Sequence, residues 1–598
     1  MKRMKRILCL LLACVMVFGL AACAKDEDNS GAKKRVTPTE AVTPGGEPGK
    51  QGEDPGTPTN EPTPTEIPAT PTPTPLPTIA PWPEENCEIR FPDRELYHYD
   101  MDLKLNTKDQ TVGGHVEFTF YNDTSENWSE LCLRDYSSHF TDIKTAGYDS
   151  EMYKTEINGA VTEIMNVLDG RDGRNLDYAR EYEDASIVWI PLSTPLAPGE
   201  KMTLSYDFTA KIPSVPDRYG YYEGVYNITN FYPILAEYDQ NGWSHESFIN
   251  CGECFYSEVS NYDVRITVPS GFLVASTGTE VSKTADADTD TYTYYAPCVR
   301  DFVFSASDAF VKKEAVCDGV KVNLYYPTLM DGDEYWASGP FGNQMQYAAD
   351  TTLKAAEDAL AAFGEAFGKY PYEELDIIIS RIDAGGMEYP NLIIITDQEC
   401  HPVVTFDDMP GEDGEVTPKF FSLETCVAHE IGHQWFMGIV GSNSGMEPWL
   451  DESITSYSEC VFEEYRARLK DPDATPVTVE RLGRRSMDMA DVTQLKYMME
   501  RGMIPFNQSY FEFNTDDDYI IAIYQSAQRA LYQMEEILGR KEFHSVIREY
   551  VRRNAFTNAT TADFFEVLFE YAGTDNDTLN QLIANTFDLD RCTESRND

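Results

Sequence analysis

His429, Glu430 and His433 stand as His-Glu-Ile-Gly-His inside SLETCVAHEIGHQWFMG, a stretch with a helical apolar pattern. Residues four apart on a helix share a face, so both imidazoles can point at one metal ion. Neutral imidazole suits Zn²⁺, and the acid between them lies beside the metal as a proton acceptor. Eighteen residues separate His433 from Glu452, which sits in Trp449-Leu450-Asp451-Glu452-Ser453 at the start of a second helical pattern. Two His and one Glu leave zinc's fourth position open to water, the catalytic rather than the structural arrangement. In such a site Glu430 is the expected base, a role typically worth about 10²–10⁴ in rate.

Nearby candidates read differently. Cys426, three residues before His429, is expected to be a small buried thiol, because the open position should hold water. Cys251-Gly-Glu-Cys254 is a single CxxC with no second pair, read as a local disulfide or as thiols rather than a metal or redox site. His245 and His401 have no partner at ligand spacing and read as structural or surface residues.

The elements that must position these residues fall into two bodies. From about residue 86 to 327, short alternating runs such as VGGHVEFTFYN, MTLSYDFTA and YDVRITVP predict an antiparallel β domain. Residues 328–598 read as a mainly helical domain with a small sheet, so the fold class is α+β. A long helix is expected in MQYAADTTLKAAEDALAAFGEAF, and another over 517–538, stopped by Gly539. LDIIIS (375–380) and LIIIT (392–396) read as paired strands around the loop RIDAGGMEYPN.

The N-terminus is an address. Basic residues precede an apolar run at 7–22 that is short for a membrane span, so residues 1–22 read as an export signal. Leu20-Ala21-Ala22-Cys23 resembles the bacterial lipobox, which implies lipidation of Cys23 and a place on the outer face of the cell membrane. Residues 23–85 then read as a Pro/Thr-rich tether, with 14 prolines between 36 and 84. Ten cysteines lie beyond Cys23, an even number in a compartment that permits disulfides. The formal charge of −53 excludes nucleic acid as a natural partner, since it would repel a phosphate backbone.

HEIGHQWF, eighteen residues and WLDES together resemble the aminopeptidase N family of zinc metallopeptidases, which includes leukotriene hydrolase. Thermolysin-like endopeptidases have one residue more before the Glu. Ala384-Gly385-Gly386-Met387-Glu388-Tyr389 resembles the family's Gly-x-Met-Glu-Asn exopeptidase strand, with Tyr389 in place of Asn. Tyr524-Gln525-Ser526-Ala527 resembles its Tyr-x-Lys-Gly segment without the Lys and Gly, and residues 262–278 look like strands of its N-terminal β domain. The resemblance implies one zinc ion, peptide substrates and a short two-domain member. It implies that Glu388 pairs with the substrate's α-ammonium and that Tyr524 supplies the catalytic hydroxyl, with Tyr519 the poorer candidate. Gly385 and Gly386 would let backbone lie close to a substrate, and Met387 would line the first side-chain pocket. The family uses a second acid or amide from the β domain; the sequence does not place it, and Glu237 is a guess.

Two rival readings stand beside the aminopeptidase. One is a metalloendopeptidase that lost N-terminal recognition through Tyr389. The other is a binding protein on an inactive peptidase scaffold, against which the intact His429, His433, Glu452 and Glu430 argue.

Overall fold

The computed structural model describes residues 88–141, 162–249, 251–327, 344–400, 421–470 and 492–591. The export signal, Cys23, the tether, Cys87, His401 and Cys592 lie outside the described residues. The architecture is α+β, a β-sheet region followed by a helical region.

The β region is built on an eight-stranded sheet. Its central strands are Ser260–Pro269, Tyr97–Asn106, Thr111–Tyr121 and Lys201–Lys211. Alternation of buried and half-buried side chains along Ser260–Pro269 and Lys201–Lys211 shows why these sequences form strands with one face on a core. That core is strongly aromatic: the Tyr99 ring stacks on Phe118 at 3.9 Å and on Tyr262 at 4.7 Å. One pairing departs from the antiparallel expectation, since Tyr97–Asn106 runs parallel to Ser260–Pro269.

A five-stranded sheet carries one wall of the site. Its strands are β1 (Phe310–Cys317), β2 (Val320–Pro327), β3 (Glu374–Ser380), β4 (Gly386–Met387) and β5 (Leu392–Thr396), in spatial order β1-β2-β3-β5-β4. The runs LDIIIS and LIIIT do pair, but parallel to each other. Both are buried along their whole length, as unbroken apolar runs in a covered parallel sheet should be. The chain between them turns back through β4, antiparallel to β5, and so leaves Glu388 at the end of an edge strand. Strand β2, which precedes residue 328, pairs with β3 in this sheet.

The helices that hold the site are α1 (Gln344–Phe367), α2 (Phe421–Gly432) and α3 (Ile454–Lys470). Helices α2 and α3 pack closely at Gly432, where a Cβ would lie 2.5 Å from Ser458 Oγ. The helical run expected over 517–538 is present, but it widens to a π-helical turn at Ile521–Ala527 before Gln528–Leu538. It ends at Gly539, whose φ of 84° suits glycine. No helix among the described residues is long and apolar enough to cross a membrane.

Candidate metal centre and amine pocket

His429 lies near the end of α2, and His433 opens the π-helical turn that follows, with Gly438 N donating to His433 O at 2.9 Å. Glu452 comes from a second π-helical turn, Trp449–Ser453, ahead of α3. The three side chains converge. His433 Nε2 is 3.2 Å from His429 Nε2, and Glu452 Oε2 is 3.3 Å from His429 Nε2 and 3.4 Å from His433 Nε2. Tetrahedral zinc with bonds of about 2.0–2.1 Å needs ligand atoms about 3.3–3.4 Å apart. The triangle therefore fits zinc in size and in donor type.

Carboxylates fix the two rings. His429 Nδ1 is 2.9 Å from Glu459 Oε1, and His433 Nδ1 is 2.7 Å from Asp451 Oδ1. Ser444 Oγ donates to the other Asp451 oxygen at 2.6 Å. With Nδ1–H spent on an acid, each Nε2 keeps its lone pair for metal. The acids also make the pocket favour positive charge. Burial alone would lower His429, yet hydrogen bonds to Glu452 and Glu459 hold it up to about 9. Burial would raise Glu452, but the charge of His433 and the bonds from both rings pull it well below the usual carboxylate range.

Glu430 lies in the same pocket. Burial pushes its carboxyl up to about 7, against the opposing pull of His429 and His433. Glu388, Glu430 and His433 can present ligand-type atoms within 4.8 Å of one another, so Glu388 stands at the edge of the metal centre. Burial and the charge of Glu253 push Glu388 well above the usual range. Gln434, next to His433, ties the two walls together. Its Nε2 donates to Tyr389 O at 3.0 Å and its Oε1 accepts from Asn391 N at 2.9 Å.

The remaining expected residues find specific places. A Cβ on Gly386 would lie 2.4 Å from the Glu430 carboxylate, so this glycine makes room for Glu430. Gly385 O accepts from Cys426 Sγ at 3.3 Å. Met387 is buried in a small core with Ile382 and Ile394 rather than standing free in a pocket, and its sulfur meets Arg218. Tyr389 turns away from the metal centre into the β region, where its hydroxyl lies 2.8 Å from Thr229 Oγ1 and donates to Asn230 Oδ1 at 2.7 Å. Tyr524 lies over His429, ring centroids 6.2 Å apart, and its hydroxyl hydrogen-bonds Glu452. Tyr519 is buried, and a Cβ on Gly252 would lie 2.7 Å from its hydroxyl, so that hydroxyl is turned towards the 251–252 segment.

Other readings resolve too. Among the described residues, no cysteine belongs to a group able to hold a metal ion, Cys426 included. Cys254 is a buried free thiol, so the Cys251–Cys254 pair is not a disulfide here. His245 Nδ1 bonds Trp243 O at 2.7 Å, away from the centre.

Glu237 does not lie among the ligand residues. Its charged neighbours are Glu258, Arg300 and Asp123. The β-region acid that faces the site is Glu253, whose charged neighbours include Arg218, Glu452 and Asp451. Burial pushes it up to about 7, with Arg218 opposing. Sequence reading also missed Gln434, Asp451 and Glu459. Asp451 stands directly before Glu452, and Glu459 lies among Ser, Thr and Glu in ITSYSECVFEEY, so no local pattern set them apart.

Residues 351–587 match the model of the family described as "Peptidase family M1 domain". Among curated proteins, the chain is similar to Aminopeptidase M1-B of Oryza sativa subsp. japonica, 24% identical over 240 residues that cover 39% of this chain and 24% of that protein. It is similar to Aminopeptidase B of Rattus norvegicus, 25% identical over 222 residues, 36% of this chain and 30% of the relative. Aminopeptidase N of Streptomyces lividans is 22% identical over 236 residues, 38% and 25% of the two chains. The matches thus span about a quarter to a third of these relatives' length. Among solved structures, an M1 zinc metallopeptidase from Deinococcus radiodurans superposes with a TM-score of 0.51 at 15% identity, covering 84% of this chain and 97% of that one. The fold is that two-domain α+β fold, and residues 351–587 are similar to the M1 peptidase domain.

Proposed function

We propose that this chain, built on its M1 peptidase domain, is a zinc aminopeptidase that removes the first residue from peptides with a free N-terminus. The observation that carries this reading is the shared corner at His433. The same imidazole belongs to the zinc-sized triangle and to the group that brings Glu388 and Glu430 together. A buried carboxylate that close to the ligands meets the substrate beside the scissile bond, where an exopeptidase substrate carries its α-ammonium.

His429, His433 and Glu452 would hold zinc, which when bound polarises a carbonyl and acidifies water. Glu430 takes a proton from the attacking water and passes it to the leaving nitrogen. The Tyr524 hydroxyl, beside Glu452, donates to the carbonyl oxygen as it gains charge. Glu388 accepts the α-ammonium, and Glu253 approaches from the β region. A charge-assisted contact of this kind is worth roughly 1.5–3 kcal/mol.

A panel of aminoacyl reporters and short peptides, each with an N-acetylated twin, tests the reading. Release of the first residue from the free forms alone is expected. Cleavage of both forms at an internal bond, at similar rates, would leave the endopeptidase standing instead.

The proposal extends to location. Leu20-Ala21-Ala22-Cys23 and the polar, proline-rich stretch behind it support a lipidated Cys23 that anchors the enzyme to the outer face of the bacterial membrane. Cys23→Ala should move the protein to the soluble fraction or stall its processing; unchanged lipid labelling in that variant would end this part.

A further inference from the structure

Glu253 has a partner of its own. Arg218, between the strands Lys201–Lys211 and Gly220–Tyr222, directs Nη1 to both Glu253 carboxylate oxygens, at 3.1 and 2.9 Å. The same nitrogen lies 3.4 Å from Met387 Sδ, on the residue immediately before Glu388. The guanidinium carbon is 5.8 Å from the centre of the Phe255 ring, and Nε is 3.8 Å from Asp217 Oδ1. The two side chains of the pair are only 13% and 12% exposed. One cation therefore touches the β-region acid and the edge strand that presents Glu388. It is not among the residues that would hold zinc or move the proton.

Resting on the aminopeptidase reading, we propose that Arg218 is a positioning residue for the substrate's first residue: it fixes Glu253 opposite Glu388, so that two acids close on one free α-ammonium. A glutamate has three rotatable side-chain bonds, and without a partner Glu253 could swing away from the Glu388 wall. The two-oxygen contact from Arg218 prevents the swing, and its packing against Met387 fixes the spacing between the walls. Breaking a buried ion pair from one side leaves the other charge without compensation, so Glu253 should change place when Arg218 is removed.

The test uses the full-length, zinc-loaded protein. Steady-state kinetics on an aminoacyl reporter would be measured for Arg218→Met, Arg218→Lys, Glu253→Ala and the double variant Arg218→Met/Glu253→Ala, with zinc content and melting temperature alongside. Arg218→Met should raise KM about 10- to 100-fold with a smaller change in kcat. Arg218→Lys should recover part of the loss, and the double variant should be no worse than Glu253→Ala alone. A wild-type KM in Arg218→Met, a loss confined to kcat, or two losses that multiply in full would overturn the proposal. Should Arg218→Met fail to fold, the same cycle run with Arg218→Lys decides between coupling and independence. Wild-type protein inert towards every unblocked reporter would instead sink the aminopeptidase reading.

Discussion

Glu430 and Asp451 both lie beside ligand histidines, yet they should fail in different ways. Glu430 makes none of the three ligand contacts, so Glu430→Gln should keep near-stoichiometric zinc and lose about 10²–10⁴ in turnover. Asp451 bonds the Nδ1 of His433 and nothing in the reaction path. Asp451→Asn should weaken zinc binding by about 10- to 100-fold, because the amide fixes the ring less well and makes it a weaker ligand. Metal content after dialysis against a graded chelator, with turnover of the reloaded enzyme, separates the two. Zinc loss in Glu430→Gln would show that the roles are misassigned. At this scale the sequence was informative about Glu430 and silent about Asp451. The spacing of two histidines names the residue between them, while an acid eighteen residues on from His433 becomes its partner only when α2 and α3 pack.

At the level of elements, glycine and the π-helical turn do most of the positioning. The turns at Gln434–Ile439, Trp449–Ser453 and Ile521–Ala527 each begin beside or contain a site residue: His433, Glu452 and Tyr524. The first closes the ligand helix, the second opens the helix Ile454–Lys470, and the third widens a continuous helix; such turns re-aim side chains and are common at functional sites. Two glycines give contrasting predictions. At Gly432 a new Cβ would meet Ser458 Oγ at 2.5 Å and Thr455 Cγ2 at 3.1 Å in a helix–helix contact. Gly432→Ala should therefore destabilise by about 1–3 kcal/mol. At Gly386 the new Cβ meets the end of the Glu430 side chain, which can move aside. Gly386→Ala should leave the melting temperature nearly unchanged and cut kcat by tenfold or more. Equal stability losses in the two variants would contradict this division.

Across the whole molecule, the two regions are joined by buried charge as well as by apolar packing. Arg300 of the β region donates to Gly438 O at 3.3 Å and Thr557 O at 2.6 Å, and a Cβ on Gly441 would collide with its guanidinium. Buried acids also set a pH dependence. Asp376 accepts from Ser276 N at 3.0 Å and from Asn323 at 2.7 Å, and burial with the charge of Glu374 pushes it up to about 7. Its unfolded value is near 3.8. Between those values the folded chain holds a proton that the unfolded chain has lost. The stabilisation is fully present below the unfolded pKa and is lost as pH rises through about 7. Each unit of that window changes stability by up to about 1.4 kcal/mol for this group. Denaturant midpoints between pH 5 and 8 should fall more steeply for wild type than for Asp376→Asn. Parallel profiles would remove Asp376 from the account.

The local chemistry was legible without coordinates: two histidines on one helical face, the acid between them, a third ligand at a set distance, and runs whose periods name strands and helices. Such signals survive in sequence because a helix or strand imposes its geometry on neighbours along the chain. What tertiary packing decided were pairings between distant residues. Glu253 rather than Glu237 comes near Glu452 and Asp451, on a segment whose Gly252 lies against the Tyr519 hydroxyl. Arg218, 35 residues before Glu253, has no local pattern that marks it. Tyr389 read as a bulky departure at the substrate, and the fold turns its ring away and anchors it on Thr229 and Asn230. Periodicity says which face of an element is buried; only the packing of one element on another says which charge meets which.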